Sequence, residues 1–564
     1  MKRIAKKIAV ATLTTAFVAM SATAQEADDA FDGGEDSFSG FEDESSGGGD
    51  DFDFDSDSSS PSLSWNGQVD ADARLWIGGE DSGKHNTRAW SSPNDISKSS
   101  VDADAKLKLD LSYKGANTDA KATLKIDAAT IKEHPEDVLS EASVGGSFFD
   151  GVLELRAGKM IKPWGKCDKV HVLDNFNAND YTDFIFPDYL DRRLGEIMFS
   201  AKIEPPLPCI TELEGIYTPF MTADRFATSG KLVPYAQTAI SNATKEAAEK
   251  IVAQAFSDYT TATVGLSTGQ TTTEAAQQAG AAYMLALSNA TSLNSDTDSL
   301  YPDTKQLRYG QAGLRLTGET PIGLSWGTSY YYGHYKQPSF DKRKLKLYLD
   351  KRLAGTSTDD SDKFLQYDQL QVFGLEAETV KPLWFFGYIP LNFFKSIANF
   401  ELDTRMEFAY NLTQDFDGTN PAIHNNSIAW VAGIQRDFWG INVNLQETGS
   451  YILKNDEIEN GLAKTIDVDY NSDGTYSRNK IILVVKDTFM NENLTAEAQV
   501  IFGIENKEIC IVPKVEYNIS EGLTFTARGA WIYSDNENGE FYNFTADSTH
   551  HDKAFVQLAA KYIF

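Results

Sequence analysis

The chain has 564 residues and only three cysteines, Cys167, Cys209 and Cys510. They are odd in number and far apart, with no C-x-x-C or C-x-x-C-H among them. That excludes a disulfide scaffold, a zinc site and a haem attachment. Long apolar runs are missing after the first two dozen residues, which excludes a helical membrane protein. Lys and Arg are absent from residues 25–61, where Asp and Glu leave a net charge of −14. The whole chain carries −31, of which about −21 falls on residues 62–564. Such a field repels polyanions, so nucleic acid is not expected as a partner. What is plentiful is aromatic: 24 Tyr, 33 Phe and 9 Trp, too many for a disordered acidic chain. The 41 Gly and 17 Pro mostly punctuate short alternating segments, a β pattern.

Met1–Ala24 has a basic start (Lys2, Arg3, Lys6, Lys7), an apolar stretch over Ile8–Met20 and the small-residue sequence Ala22-Thr23-Ala24. This is the pattern of a cleaved secretory signal, and thirteen apolar residues are too few to span a bilayer. Residues 25–61 consist of Asp, Glu, Ser and Gly with five interspersed Phe. Such a segment cannot bury enough apolar area to offset its ordering, so it reads as a disordered acidic tail.

Beyond Trp65 the chain alternates with period 2. Val101, Ala103, Ala105, Leu107, Leu109 and Leu111 share one face, and Asp102, Asp104, Lys106 and Lys108 share the other. Phe400, Leu402, Met406, Phe408 and Tyr410 likewise oppose Glu401, Asp403, Arg405 and Glu407. Sandwich strands usually run to about 5–6 residues, whereas many of these reach ten or more, as tilted membrane-crossing strands do. Eighteen segments fit: 65–77, 101–113, 119–128, 141–148, 151–160, 194–203, 210–217, 306–317, 323–333, 365–379, 397–410, 427–436, 440–453, 480–487, 494–503, 509–517, 523–533 and 554–564. The connections alternate short and long, as in an outer-membrane barrel with periplasmic turns and outer loops. Connection 380–396 is too long for the rule and 504–508 too short, so a miscounted pair would leave sixteen strands.

The fold expected is therefore all-β: a transmembrane antiparallel β-barrel of 16–18 strands over residues 62–564. Its last strand, 554–564, ends on Phe564 and places Leu558, Ala560, Tyr562 and Phe564 on one face. It resembles the terminal strand that the outer-membrane assembly machinery recognises. Trp76, Trp326, Tyr330, Tyr332, Tyr410, Trp430, Trp531 and Tyr533 lie near strand ends, as girdle aromatics should. Connection 218–305 contains a helical insertion at about 235–290, with Ile240, Ala243, Ala247, Ile251, Val252 and Ala255 at helical spacing. A Gly/Thr stretch at 260–272 should break it before a second helix over 274–289. The hairpin could cap the outer loops or fold into the lumen.

Segment 158–196 mixes Lys159, Lys162, Lys166, Lys169, Arg192 and Arg193 with Asp168, Asp174, Asp180, Asp183, Asp188 and Asp191. An ordered, inward-folded loop of this kind would make a salt-bridged constriction. Within it, Arg156-Ala-Gly158, Trp164-Gly165 and Asp174-Asn-Phe-Asn-Ala-Asn-Asp180 resemble the R-x-G…W-G…N-x-x-N-P-x-D pattern of a poorly characterised Gram-negative outer-membrane, porin-like barrel family. Pro219 and Arg225 resemble a further element of that family, and Ala178 stands where it usually has Pro. The resemblance covers about 150–230. It implies a channel or exporter, often for hydrophobic or lipid-like substrates, with no catalytic residues. It implies loop-organising roles for Trp164, Asn177, Asp180 and Arg225.

None of the seven histidines sits in a recognisable catalytic motif with its partner, so an enzyme is not expected. No cofactor is expected either. Asp469-Tyr-Asn471-Ser-Asp473-Gly474 fits the start of a calcium loop, but Lys480 stands where the closing Glu belongs. The expected role is an outer-membrane channel for small solutes, cation-preferring because of the net charge. Its lumen would be lined by Asp102, Asp104, Lys106, Lys108, Glu401, Asp403, Arg405 and Glu407, with Trp164, Asn177, Asp180, Arg192, Arg193 and Arg225 at the constriction. Its expected surroundings are outer-membrane lipids in a diderm bacterium, a periplasmic tail, the assembly machinery and, as an option, further copies of itself. The alternatives are a surface-interaction barrel with a sealed lumen and a transporter of lipid-like substrates.

Overall fold

The computed structural model describes residues 61–77, 87–92, 99–295, 298–381, 401–545 and 552–564. The expected signal (1–24), residues 25–60 of the expected acidic tail (25–61), His85, His550, His551 and residues 397–400 of one expected strand lie outside the described residues.

Eighteen strands form the barrel, each at one of the expected places. They are β1 (Ser62–Ile77), β2 (Ser99–Lys114), β3 (Thr118–Ile126), β4 (Leu139–Phe148), β5 (Leu153–Met160), β6 (Glu196–Ile203), β7 (Glu212–Thr218), β8 (Gln311–Glu319) and β9 (Leu324–His334). Then follow β10 (Gln369–Thr379), β11 (Asp403–Leu412), β12 (Ser427–Phe438), β13 (Ile441–Ile452), β14 (Ser477–Phe489), β15 (Leu494–Gly503), β16 (Ile509–Ser520), β17 (Leu523–Tyr533) and β18 (Asp552–Ile563). Each pairs antiparallel with its neighbours in sequence. The ring closes where β1 meets β18, from Gln68 opposite Ile563 to Trp76 opposite Phe555. Gly67 and Phe564 exchange backbone hydrogen bonds of 2.8 Å at the seam.

The short connection 504–508 does join two barrel strands, and the count is eighteen; most of the expected connection 380–396 lies outside the described residues. Connections 115–117, 149–152, 204–211, 320–323, 439–440, 490–493 and 521–522 lie at one end, together with both ends of the barrel sheet. The long ones, including 161–195, 219–310, 335–368 and 453–476, lie at the other.

Register fixes the two faces. Leu75, Ala73, Ala71 and Val69 stand opposite Val101, Ala103, Ala105 and Leu107 on the outside, while Arg74, Asp72, Asp70 and Gln68 stand opposite Asp102, Asp104, Lys106 and Lys108 on the inside. The outer face is largely apolar around the ring, with Leu155, Phe199, Leu314, Phe373, Met406, Leu558 and Tyr562 all exposed. Trp326, Tyr330, Tyr332, Tyr410, Trp430, Trp531 and Tyr533 fall on it by register. Trp76 does not. It shares parity with Arg74, points inward, packs on Phe555 and donates to Asp102 Oδ2 at 2.6 Å. Among the described residues no helix is long and apolar enough to cross a membrane, which bears on helices alone.

Among the described residues three helices of twelve residues or more sit in the long loops: α1 (Tyr235–Ser267), α2 (Thr273–Ser295) and α3 (Lys342–Leu353). The hairpin is longer than expected, because α1 runs into the Gly/Thr stretch as far as Ser267 before the break at 268–272. Thr260 and Thr263 turn their hydroxyls back to the carbonyls of Phe256 and Tyr259, at 2.6 and 2.8 Å. Tyr259 also stacks on Tyr283 of α2. The expected apolar face packs on α3: Ile240, Ala247 and Ile251 lie against Tyr348, Leu349 and Phe364. Val252 and Ala255 join Ala286 and Leu353. At its base, Ala236 N donates to Asn543 Oδ1. The hairpin thus rests on the loop layer at the long-loop end, with Phe256, Val264 and Met284 exposed.

Candidate functional site

A ring of 16–18 strands leaves an aqueous lumen unless something enters it. Here the connection between β5 and β6, residues 161–195, enters it and touches opposite walls. Asn177 fastens its two ends. The side chain accepts from Lys162 N at 2.8 Å and donates to the carbonyls of Met160 (3.0 Å) and Leu194 (2.8 Å), closing the loop at its neck.

On one wall the loop docks on β7–β13. Trp164 is buried against Phe176 and donates to Glu214 Oε2 at 3.0 Å. Glu407, on β11, is the main anchor. Its Oε1 accepts from Lys166 N (2.8 Å), Cys167 N (2.8 Å) and His171 Nδ1 (2.9 Å), and its Oε2 from Val172 N (2.9 Å). Gly165 makes this approach feasible. Its φ is +120°, and a Cβ there would lie 2.3 Å from Glu407 Oε1. Asp168 pairs with Arg405 and accepts from Asn444 Nδ2 at 2.7 Å. Lys166 Nζ reaches Ser325 Oγ (2.8 Å) and Glu378 (3.4 Å).

The far part of the loop docks on β1 and β14–β18. Arg74 holds Asp183 with two bonds of 2.5 and 2.8 Å. Burial alone would raise the Asp183 carboxyl; Arg74 outweighs burial and holds it well below the usual carboxylate range. Phe184 and Phe186 pack into a buried cluster with Trp76, Ile482, Val484, Ile501, Ile532 and Phe555, and Arg528 donates to Phe186 O at 2.9 Å. A second cluster, with Trp164, Leu173, Phe176, Met198, Ile216, Tyr331 and Val372, holds the near part.

Of the remaining constriction candidates, Asp180, Arg192 and Arg193 belong to this strap and Arg225 to the next long loop. Arg193 pairs with Asp174 and donates to Asn179 Oδ1 at 3.0 Å. Arg225 pairs with Asp137 (2.6 Å) and Asp180 (3.4 Å), so the Asp180–Tyr181 strip runs beside Arg225–Phe226. Arg192 lies near the rings of Tyr181 and Tyr189. The loop's ion pairs therefore mostly join it to the wall or to neighbouring loops rather than to itself.

Of the lumen-facing candidates, Asp102, Asp104, Lys106, Lys108, Asp403, Arg405 and Glu407 lie on inward parity, but several are already occupied. Asp102 serves Trp76, and Asp104 faces Arg88 at 3.8 Å. Glu401 lies outside β11, exposed at the short-turn end beside Lys381. Asp469, Asn471 and Asp473 do not converge. Asp469 accepts from His424 Nδ1 (2.8 Å) and Asn425 N (2.7 Å), Asn471 Oδ1 accepts from Asp473 N, and Asp473 Oδ2 accepts from Asn536. Among the described residues no group of three or more His, Cys, Asp or Glu side chains is spaced to hold a metal ion.

Two contributors were not expected. Lys336 is half-buried and donates to Phe176 O and Gln311 Oε1, and desolvation lowers its pKa to about 8. The apolar inward residues of β14–β17 were the other; their signal was apolar residues on both faces, as in Ile481-Ile-Leu-Val-Val485.

The site is a closed 18-strand β-barrel whose lumen is crossed by an ordered, charge-anchored loop. No protein-family model matches the chain, and no curated protein matches it in sequence. Solved structures with a similar fold include OprB of Pseudomonas putida, at 8% identity over 89% of this chain and 94% of that one, with a TM-score of 0.35. A BenF-like porin of Pseudomonas fluorescens Pf-5 gives 9% identity, 89% and 98% coverage and a TM-score of 0.42. The outer membrane protein opdK of Pseudomonas aeruginosa gives 8% identity, 89% and 99% coverage and a TM-score of 0.40.

Proposed function

We propose that this chain is an outer-membrane channel for small solutes, with loop 161–195 as its constriction. The observation that carries the reading is that loop: polar groups and ion pairs fix it across a closed barrel. A purely structural barrel has no need of such a crossing. The apolar outer belt, the sorting of connections by length and the signal-like N-terminus support placement in an outer membrane, with the short turns periplasmic and lipid around the belt. The terminal strand is what the assembly machinery would engage.

The net charge does not carry a cation preference. Residues 25–61 hold −14 of it outside the barrel strands. Inside, Lys106, Lys108, Lys125 and Lys561 share a wall with Asp70, Asp72 and Asp104, and Arg315 and Arg405 stand among Glu376, Glu378 and Glu407 on another, so both signs are mixed. Selectivity therefore follows from the constriction. A planar-bilayer recording of the refolded mature chain tests the channel: discrete ohmic steps are expected. A folded, heat-modifiable barrel that stays silent would overturn it. The exposed hairpin favours an added surface-contact role, which deletion of residues 235–290 would separate from conduction.

A further inference from the structure

Against the strap lies a vestibule of about 1280 Å³, walled by loop 161–195, the base of α1, the 540–544 segment and inward residues of β14 and β15. It is larger than the roughly 300–1,000 Å³ of common ligand pockets. Most charges around it are spoken for: Arg193 by Asp174, Arg225 by Asp137 and Asp180, Glu540 by Lys480, and Glu497 by Lys514.

Arg192 differs. Its Nε is buried with no hydrogen-bond partner, and among the described residues no carboxylate stands within ion-pair distance of it. Its guanidinium lies 5.9 Å from the Tyr181 ring centroid and 5.8 Å from that of Tyr189. Those faces steady a cation without using the N–H donors of its two terminal nitrogens. Burial disfavours its charge most, with Arg193 adding to that, while Tyr181, Tyr189 and the Asp188 carboxylate in the same cavity offset it only in part. Arginine does not shed its proton in proteins. The cost of keeping this cation is relieved when an anion arrives. The same cavity presents Phe226, Phe541 and Phe544.

We propose that the vestibule is a binding subsite for organic anions. The head, a carboxylate, sulfonate or phosphate, seats on Arg192, and the apolar body lies against Phe226, Phe541 and Phe544. The planar fork of Arg192 suits such heads because it offers two parallel N–H donors. This rests on the channel reading and names the solute class that the channel selects.

Calorimetric titration of the folded mature chain in detergent tests it. The probes are 2-naphthalenesulfonate, neutral 2-naphthalenesulfonamide and inorganic sulfate. The sulfonate should bind best, with the sulfonamide and sulfate weaker by roughly tenfold or more. Arg192→Gln should weaken the sulfonate by a similar factor, and Arg192→Lys should recover part of the loss. Heat-modifiable migration confirms that each variant is folded. Equal sulfonate binding by native and Arg192→Gln chains would overturn the proposal. So would equal binding of sulfonate and sulfonamide, or no binding by the native chain. Arg192-dependent binding by a chain silent in bilayers keeps the subsite and removes the channel; conductance without binding does the reverse.

Discussion

Replacing Glu407 with Gln changes one atom and should release the strap without harming the barrel. The carboxylate is fully buried and accepts from three backbone N–H groups and from His171. An amide keeps one acceptor oxygen and turns the other position into a donor. Either flip sets N–H against N–H, at Val172 or at the Lys166–Cys167 pair, and the carboxylate partner of His171 is lost. Removing one member of such a buried arrangement costs about 3–5 kcal/mol. The β11 ladder to β10 and β12 is made by backbone and is untouched. The loss should therefore appear as local opening of the loop. Hydrogen exchange at the amides of Lys166, Cys167 and Val172 should accelerate on the order of a hundred- to a thousandfold. Strand amides should keep their protection, and single-channel current should become larger or noisier. Unchanged exchange at those three amides in a folded variant would refute the reasoning.

Other outcomes follow from the same structure. Gly165→Ala should mimic Glu407→Gln in the exchange experiment, because its Cβ would meet the carboxylate at 2.3 Å. Arg74→Ala and Asp183→Asn should each free the far part of the strap, and a double-mutant cycle should show strong coupling; additivity would mean that the pair does not hold it. Burial lowers the His424 pKa, but the Asp469 carboxylate outweighs burial and raises it to about 9. The unfolded value is about 6.5. The pair therefore contributes fully below about 6.5, and the contribution is lost as pH rises through about 9. Protection of the Asn425 amide, which also bonds Asp469, should fall across that window, and Asp469→Asn should abolish the effect. Cys209 is exposed in the 204–211 turn, whereas Cys167 and Cys510 are buried. A membrane-impermeant maleimide should therefore label only Cys209 in the folded barrel, and should miss it on intact cells if short turns face inward.

The barrel was legible because each strand repeats one decision, apolar out and polar in, over a length that only a membrane-crossing ladder needs. β2 and β18 show this without help from any neighbour. The helical hairpin was legible for a similar reason, since Ile240, Ala247 and Ile251 recur at helical spacing. Its end was misread because Thr and Gly signal a break locally. The hydroxyl back-bonds of Thr260 and Thr263, and the Tyr259–Tyr283 stack, are supplied by the helix turn and the partner helix. Trp76 was misplaced because proximity to a strand end is a weaker rule than parity: one residue of phase decides between a lipid girdle and an inner cluster.

The strap was visible only as a charged, aromatic loop, and the reason lies in where its partners are. Glu407 and Arg405 are more than two hundred residues from the amides and the carboxylate they hold. Nothing near Gly165 in sequence announces a carboxylate pressed against it. Alternation also hides the docking surface. A lumen meant only for water would keep its inward positions polar, but Ile482, Val484, Ile501 and Ile532 are inward and apolar. That makes β14, β15 and β17 apolar on both faces along part of their length. In a two-sided sheet such strands signify burial between layers. In a closed barrel the second layer has to come from within, and Phe184 and Phe186 of the strap supply it. Apolar residues on both faces of adjacent barrel strands are thus the sequence signature of an internal segment docked there. In this chain they mark the wall on which the far part of the constriction rests.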